Sequence, residues 1–307
     1  MGTKNYGIGY RQMDRAGEMH LDNARKDKVI SFATADKYAD AWTQFAQWAR
    51  EHGVKQMERI TPELVIDYGK ELAAQVDVQH LSAATAQDRV TAVNRVLQIA
   101  GAQWTSISSV KDCGIAQRSH VREGTPETLD RQVYQERLAN VATIASARGV
   151  AVCELARDLG LRSKEASLLD AKKALSQAQA TGSIQITAGT KGGRSREIEG
   201  LSERQLQTLR SAAQAQGHAK AVMPPEQNWK DWRAGELRSV REAMGGLHEM
   251  RSAYACERYA EITGHAAPCT GQPILDRSVD HGARWILAEE LGHGRIDVVS
   301  EYIGGRA

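Results

Sequence analysis

Residues 291–302, with the sequence LGHGRIDVVSEY, place His293 nine positions before Tyr302 near the end of the chain. The glycine before His293 predicts the end of one helix, and the spacing of Val298, Val299 and Tyr302 predicts a second, short helix. A tyrosine among such apolar neighbours is usually a core residue with a bonded hydroxyl. The alternative is a nucleophile, and the residues that precede this stretch favour that alternative.

The bulk composition is that of a globular protein. The chain has 307 residues, enough for two domains, with 41% hydrophobic and 25% charged residues. No apolar run approaches the roughly 20 residues that cross a bilayer, and the N-terminus lacks the apolar segment of a secretory signal. We therefore expect a cytoplasmic protein without a membrane partner.

The cysteines are widely spaced and form no Cys-x-x-Cys motif, so the sequence does not favour a zinc site. They are Cys113, Cys153, Cys256 and Cys269. In a chain of this length they predict the reduced thiols of a cytosolic protein, with a role in packing. We expect no metal site.

The first hundred residues have the pattern of a helical bundle. Apolar residues at helical spacing predict a helix over 34–52. Thr61-Pro62-Glu63 is a strong helix start, with an N-cap, a proline at the first helical position and an acid in the first turn. A further helix is predicted from about Ser82 to Gly101. The chain therefore opens with three or four packed helices.

Residues 105–127 lack clear periodicity and carry Ser, Gly and Pro, which indicates a domain boundary. The sequence thus predicts four parts: an N-terminal tail over 1–30, a helical domain over 31–110, a linker over 111–127 and a second domain over 128–307.

The second domain is predicted to be helical with one small sheet. Residues 183–187 alternate as a strand, 189–193 have the composition of a turn and 195–199 form the returning strand. A capping box at Ser202 opens a helix to about Gln216, and residues 217–234 are loop-like. Further helices are expected near 235–244, 247–263, 276–291 and 295–303.

Positive charge is concentrated locally, although the net charge is only +2 and the pI about 8.3. Residues 188–196, AGTKGGRSR, contain Lys191, Arg194 and Arg196 and no acid. By itself such a run is more often a solvated hairpin tip than a binding site. The position of charge, however, matters more than the net charge for binding nucleic acid.

Metal-free phosphodiester cleavage requires a nucleophile, fixed cations for the phosphate oxygens and a proton donor. Three further residues are candidates for the cations and for proton transfer. His248 and Arg251 are three positions apart on a predicted helix and project from one face. Arg162 follows a glycine corner, from which its planar, permanently charged fork can point into a cleft. Each alone is more often an exposed polar residue.

Taken together, four segments resemble the motifs of the tyrosine recombinase (phage-type integrase) family, in the same order and with similar spacing. They are LGLRSKEA at 159–166 with Arg162 and the supporting acid Glu165, GTKGGRSR at 189–196 with the hairpin lysine Lys191, HEMR at 248–251, and LGHGRIDVVSEY at 291–302 with His293 and Tyr302. The resemblance implies a mainly α fold, with an N-terminal helical core-binding domain that contacts DNA and an α+β catalytic domain that includes a small antiparallel sheet.

The resemblance also implies residue roles. Tyr302 attacks the scissile phosphate and forms a 3′-phosphotyrosine link, while Arg162 and Arg251 hold the phosphate. Lys191 protonates the leaving 5′ oxygen. The remaining expected roles are proton transfer at the tyrosine by His248, a phosphate hydrogen bond from His293, and DNA contacts by Arg194 and Arg196. No metal, ATP or other cofactor is required.

The implied partner is double-stranded DNA, on which four copies of the chain exchange strands through a Holliday junction. The free protein is expected to be a monomer or dimer, and an accessory DNA-bending protein is a further candidate partner. The tail at residues 1–30 contains six Lys and Arg residues and is expected either to touch DNA or to be disordered.

Three other functions are compatible with parts of this pattern. A type IB topoisomerase uses similar chemistry for relaxation, and a catalytically silent regulator could bind DNA on the same fold. A helical interaction module would show no salt-dependent affinity for DNA. The complete set of chemical residues favours the recombinase, because a silent protein need not keep Tyr302.

Overall fold

The computed structural model describes residues 4–306. The chain divides into two compact units, Met1–Ser119 and His120–Ala307. The division falls within residues 111–127, where the sequence predicts the linker. Residues 1–3 of the predicted tail and residue 307 of the predicted second domain lie outside the described residues.

The first unit is a bundle of helices whose starts are set by short polar side chains. Ser31, Thr61 and Ser82 each accept a hydrogen bond from a backbone N–H three residues later, as N-cap residues do. Its long helices are α1 (Met13–Lys26), α2 (Phe32–Glu51), α3 (Pro62–Asp77) and α4 (Ala83–Ile99). Their inward faces form one hydrophobic core around Trp42 and Phe45.

Helix α1 differs from the sequence prediction, which assigned residues 1–30 to a tail. Met13, Ala16 and Leu21 lie in the core of the bundle, and Trp42 Nε1 donates a hydrogen bond to Met13 O at 2.9 Å. The buried face of α1 includes Ala16 and Gly17, whose small size lets α2 approach closely. Few large apolar residues mark this face, so periodicity alone did not reveal the helix.

The second unit is helical apart from one hairpin. Its elements are α5 (Arg131–Ile144), α6 (Ala147–Asp158), α7 (Ser163–Leu168), α8 (Ala171–Thr181), β1 (Ser183–Ile186), β2 (Arg196–Glu199), α9 (Glu203–Gln216), α10 (Trp229–Ala234), α11 (Glu236–Met244), α12 (Leu247–Thr263), α13 (Arg277–Glu290) and α14 (Ser300–Ile303). Strands β1 and β2 are antiparallel, with Ile184 opposite Ile198. The predicted fold class, mainly α with a small antiparallel sheet, is confirmed.

Helix α10 lies in the stretch 217–234 that the sequence predicts as a loop. The Asn228 side chain caps the helix by accepting a hydrogen bond from Asp231 N. Trp232 is completely buried, and its Nε1 donates to Ser167 Oγ at 3.0 Å. A helix of six residues is too short to show a periodic pattern, and burial of one tryptophan stabilises it instead.

Helix α12 joins the two hydrophobic cores of the second unit. Leu247 and Met250, in its first turn, belong to one core, and Tyr254, Ala255 and Cys256 belong to the other. The first turn of α12 is therefore packed into one core and its middle into the other. Within residues 4–306, no helix is both long and apolar enough to cross a membrane.

Candidate active site

Arg162 is held at the start of α7 by the acid three residues later. Its backbone N–H donates to Glu165 Oε2 at 2.8 Å, and its Nη1 donates to Glu165 Oε1 at 2.7 Å. The chain reaches this corner through Gly160, where φ is +60° and the ring of Tyr254 packs against the backbone. A side chain at position 160 would collide with that ring, which explains the glycine before Arg162.

Arg196 is buried, which contradicts its predicted role as a DNA contact. Its Nη1 and Nη2 donate to the two carboxylate oxygens of Glu165 at 2.9 and 2.7 Å, and its Nε donates to Glu290 O at 2.7 Å. All three nitrogens of the guanidinium group thereby donate to groups within the protein. Arg196 acts on the site through Glu165 and Arg162, and its side chain does not face a ligand.

Glu165 is a completely buried carboxylate among three arginines. Besides its bonds to Arg162 and Arg196, its Oε2 lies 3.8 Å from Nη1 of Arg251. Burial by itself opposes ionisation, but the hydrogen bonds and charge of Arg196, followed by those of Arg162, outweigh it and lower the pKa of Glu165 to about 2. Glu165 is therefore ionised and balances part of the positive charge.

Arg251, near the start of α12, is only 1% exposed. Its Nη1 donates to Gly160 O, its Nη2 donates to Leu291 O, and its Nε donates to the hydroxyl of Tyr302 at 3.3 Å. Burial is the main reason why its pKa falls to about 10. The guanidinium still carries its charge at neutral pH, and backbone carbonyls fix its direction.

Tyr302 points its hydroxyl into this group of cations. The side chain is 2% exposed, and its hydroxyl lies 3.0 Å from His293 Nε2 as well as 3.3 Å from Arg251 Nε. Arg162 Nη2 and Arg251 Nη2 lie 3.3 and 3.5 Å from the same imidazole nitrogen. One phenol, one imidazole and two guanidinium groups are thus in direct contact.

The donors around His293 fix its protonation state. Guanidinium groups can only donate hydrogen bonds, so Nε2 must carry a lone pair and accept. Burial, followed by the charges of Arg251 and Arg162, lowers the pKa of His293 to about 3. The imidazole is therefore neutral at physiological pH, and its lone pair can take the hydroxyl proton of Tyr302.

His248 packs against the ring of Tyr302, with the ring centroids 5.0 Å apart. Burial, followed by the charge of Arg251, lowers its pKa. Within residues 4–306, no hydrogen bond joins His248 to the Tyr302 hydroxyl. In this conformation His293, rather than His248, is the histidine placed to accept the proton of the tyrosine.

Lys191 and Arg194 lie at the exposed tip of the β1–β2 hairpin. The hairpin is anchored at Gly189, where φ is +72° and a Cβ atom would lie 2.7 Å from the backbone oxygen of Lys164. The tip lies near the site, because a Cβ atom at Gly294, next to His293, would lie 2.7 Å from Arg194 Nη1. Both cations are available to an anionic ligand.

The structure brings five of the predicted residues into mutual contact and places the others around them. Arg162, Arg251, His293 and Tyr302 join through hydrogen-bond distances, and His248 joins through its ring. Sequence reasoning missed the burial of Arg196. The signal was present, because Arg196 lies two positions before the buried Ile198 and hence on the inward face of β2.

The described residues show no protein-made metal centre. Within residues 4–306, no group of three or more His, Cys, Asp or Glu side chains is arranged to hold a metal ion. The charged groups at Tyr302 are instead cations, which suit an anionic ligand such as a phosphate.

Residues 116–257 match the family model described as Integrase. This match includes Arg162, Glu165, Lys191 and the His248/Arg251 pair. Over this part of the sequence, the chain is similar to the integrase family. No curated protein sequence matches it significantly.

Solved structures of integrases have the same fold. The Tn1549 transposon integrase in complex with transposon right-end DNA superposes with a TM-score of 0.59 at 11% identity, covering 95% of both chains. A lambda integrase dimer bound to a COC′ core site gives 0.55 at 16% identity, covering 94% of both chains. A lambda integrase tetramer bound to a Holliday junction gives 0.55 at 16% identity, covering 94% of this chain and 77% of that one.

Proposed function

We propose that this protein is a site-specific DNA recombinase that cleaves and rejoins duplex DNA through Tyr302. The observation that supports this most directly is the convergence of Arg251 Nε and His293 Nε2 on the Tyr302 hydroxyl, at 3.3 and 3.0 Å. A phenol bonded to both a fixed cation and a neutral imidazole is prepared for deprotonation and for attack on phosphorus. A structural tyrosine needs no such surroundings.

The proposed reaction divides the work among these side chains. His293 accepts the hydroxyl proton, and the Tyr302 oxygen forms a bond to phosphorus as the bond to the 5′ oxygen breaks. Lys191, at the exposed hairpin tip, supplies the proton to that leaving oxygen. Arg162 and Arg251 stabilise the charge on the non-bridging oxygens, and their fixed orientation is the source of the electrostatic benefit. The 3′-phosphotyrosine link keeps the bond energy for rejoining.

The phenol of Tyr302 is enclosed by protein. Tyr302 is 2% exposed and the guanidinium of Arg251 is committed to Gly160 O, Leu291 O and the tyrosine hydroxyl. A phosphate cannot reach the phenol while α14 keeps this position. We infer that the four-residue helix α14, which ends at Gly304, moves when DNA binds.

The proposal implies double-stranded DNA as partner and a homotetramer as the assembly that exchanges strands. The lambda integrase tetramer on a Holliday junction is the arrangement that we infer for this chain on DNA. Its site of action would be the cytoplasm. Binding would depend on salt, since most contacts of a duplex-binding protein are to phosphates.

Covalent trapping tests the proposal. The protein is incubated without metal with nicked duplexes from the DNA that flanks its gene, and adducts are separated on a denaturing gel. We expect a covalent adduct with the natural protein and none with Tyr302→Phe, which should keep its affinity for DNA because the substitution removes only a buried hydroxyl. An adduct of normal yield with Tyr302→Phe would exclude Tyr302 as the nucleophile.

Tyr259→Phe is the matched control. Tyr259 is also buried in the second unit, and its hydroxyl donates to Asp280 Oδ1 at 3.0 Å, away from the cationic group. We expect this variant to form the adduct at the natural rate. If both substitutions abolished the adduct, the loss would reflect a general effect of removing a buried hydroxyl. A second duplex in the reaction distinguishes strand exchange from simple relaxation.

A further inference from the structure

Two thiols lie in contact beneath the helix that carries Tyr302. Cys256 on α12 and Cys269 in the turn Pro268–Thr270 have their sulfur atoms 3.4 Å apart. Both are buried, with Cys269 8% exposed at the edge of the core. Among the described residues, no other two cysteines are in contact. Cys113 packs against Gly69, and Cys153 of α6 lies in a hydrophobic core of the second unit.

Both members of the pair touch the backbone of α14. Cys256 Sγ donates a hydrogen bond to Tyr302 O at 3.6 Å. Gly304, at φ +93°, lies so close to Cys269 that a Cβ at this position would be 2.7 Å from the Cys269 backbone nitrogen. The pair therefore contacts the carbonyl of Tyr302 and the glycine two residues after it, so a change in its bonding acts on the end of α14.

We propose that Cys256 and Cys269 form a reversible disulfide, and that this modification slows attack by Tyr302. The effect on Tyr302 rests on the proposed function, whereas formation of the disulfide does not. A disulfide between cytosolic cysteines is usually transient and regulatory. The pair would thus allow oxidants to control strand cleavage.

The geometry requires only a small movement. A disulfide has a sulfur–sulfur distance of about 2.05 Å, so the two atoms must approach by about 1.3 to 1.4 Å from their present 3.4 Å. Cys269 lies in a turn of three residues, which can shift more easily than the buried middle of α12. Cys269, at 8% exposure, is also the more accessible of the two thiols, which favours it as the first sulfur to react.

Forming the disulfide requires a two-electron oxidant, and we take hydrogen peroxide as that oxidant. The Cys269 thiol attacks one peroxide oxygen, which gives a sulfenic acid at Cys269 and one water. The Cys256 sulfur then attacks the Cys269 sulfur, the sulfur–oxygen bond breaks, and the hydroxyl group leaves with the Cys256 proton as a second water. Two thiols and one peroxide thus give one disulfide and two waters.

The consequence for Tyr302 follows from the contacts that oxidation removes. The disulfide has no thiol proton, so Tyr302 O loses its hydrogen bond from Cys256. The turn at Cys269 is drawn toward α12, and its contact with Gly304 changes. Because α14 must move as a unit for the tyrosine to reach DNA, we expect fixing this turn to slow adduct formation by about tenfold or more.

The test uses the full chain treated with hydrogen peroxide. Free thiols are then alkylated under denaturing conditions and the disulfide is located by peptide mapping. We expect a Cys256–Cys269 crosslink, an adduct rate lowered by about tenfold or more, and recovery of both after dithiothreitol. Absence of this crosslink from folded, oxidised protein would overturn the modification site. If the crosslinked protein formed adduct as fast as the protein with free thiols, the proposed control of Tyr302 would be wrong.

Matched variants separate this site from other oxidation. Cys269→Ser should form no crosslink and keep its adduct rate in peroxide, whereas Cys153→Ser should respond like the natural protein. If peroxide lowered the adduct rate of Cys269→Ser as much as that of the natural protein, the oxidation that slows the reaction would lie at another residue. If the reduced natural protein forms no adduct at all, the proposed function fails, while the peptide map still decides whether the disulfide forms.

Discussion

His293 shows at the scale of a single residue how surroundings change chemistry. An exposed histidine is half-protonated near pH 6.5, but burial and the charges of Arg251 and Arg162 lower the pKa of this one to about 3. The group is consequently neutral across the physiological range. The cations that suit a phosphate therefore also keep this imidazole unprotonated.

This shift has a consequence for stability. Between pH 6.5 and about 3 the unfolded chain binds a proton at position 293 and the folded chain does not, so the free energy of unfolding falls as pH falls. One such group contributes at most about 1.4 kcal/mol per pH unit. We expect His293→Gln to unfold with a smaller loss of stability between pH 6.5 and 5, measured by urea denaturation.

The comparison is made in this window because Glu165 and Glu257 contribute only at lower pH. Their pKa values are lowered to about 2, mainly because the bonds to Arg196 and Arg131 outweigh the cost of burial, so their stabilising effect is lost below about pH 4.5. His248, whose pKa is also lowered, is present in both proteins. Equal slopes for the two proteins would show that His293 is not desolvated in the folded state.

At the scale of an element, strand β2 connects three parts of the site. Arg196 on its inward face bonds Glu165 of α7 and the last carbonyl of α13, while the hairpin turn before it carries Lys191 and Arg194. The inward and outward cations of one short hairpin therefore have different roles. The inward one positions Arg162, and the outward ones face solvent.

Substituting these two arginines separates the roles. Arg196→Ala leaves Glu165 buried without its bidentate partner, and we expect a loss of about 3–5 kcal/mol in the free energy of unfolding, together with slower adduct formation. Arg194→Ala, two positions away and exposed, should unfold like the natural protein and bind DNA with a smaller salt dependence, by roughly one unit of slope. Urea denaturation and binding titrations at several salt concentrations measure the two effects.

Arg196→Lys provides a graded test of the same contact. Lysine keeps the charge but cannot reproduce the planar fork that bonds both oxygens of Glu165. We expect stability and adduct rate between those of Arg196→Ala and the natural protein. A fully stable, fully active Arg196→Ala would show that Arg162 is oriented by Glu165 alone.

At the scale of the whole molecule, each unit has its own hydrophobic core. The bundle core contains residues from Met13 to Ile115, and the two cores of the second unit contain residues from Tyr134 to Ile303. No core residue is shared between the units among residues 4–306. Each unit therefore has what a domain needs to fold alone.

We expect the fragments 1–119 and 120–307 each to fold and to unfold cooperatively, as followed by circular dichroism during urea denaturation. A fragment that ends at residue 80 is the matched control for the bundle. It lacks α4, which supplies Val90, Val93 and Leu97 to the core, and should therefore not fold. A non-cooperative transition for fragment 1–119 would show that its core depends on the second unit.

The sequence by itself determined the features that depend on short stretches of chain. N-cap residues such as Thr61 and Ser82 set helix starts, because a side-chain oxygen satisfies a nearby backbone N–H whatever the rest of the fold. The strand alternation and the turn glycines predicted the hairpin. The order of the four motifs predicted the family and the residues that meet at Tyr302, although their roles in cleavage stay predictions.

Only the tertiary structure decided how these residues are used. The bonds of Arg196 to Glu165, the lone pair on His293 Nε2 and the contact between Cys256 and Cys269 arise between different elements of the fold. The same is true of α1, whose small buried residues become core only when α2 packs on them. Burial and charge act through distance in space, and a local pattern does not contain that distance. The proposed role of Tyr302 was therefore predictable from the sequence, while its burial and its contact with His293 were not.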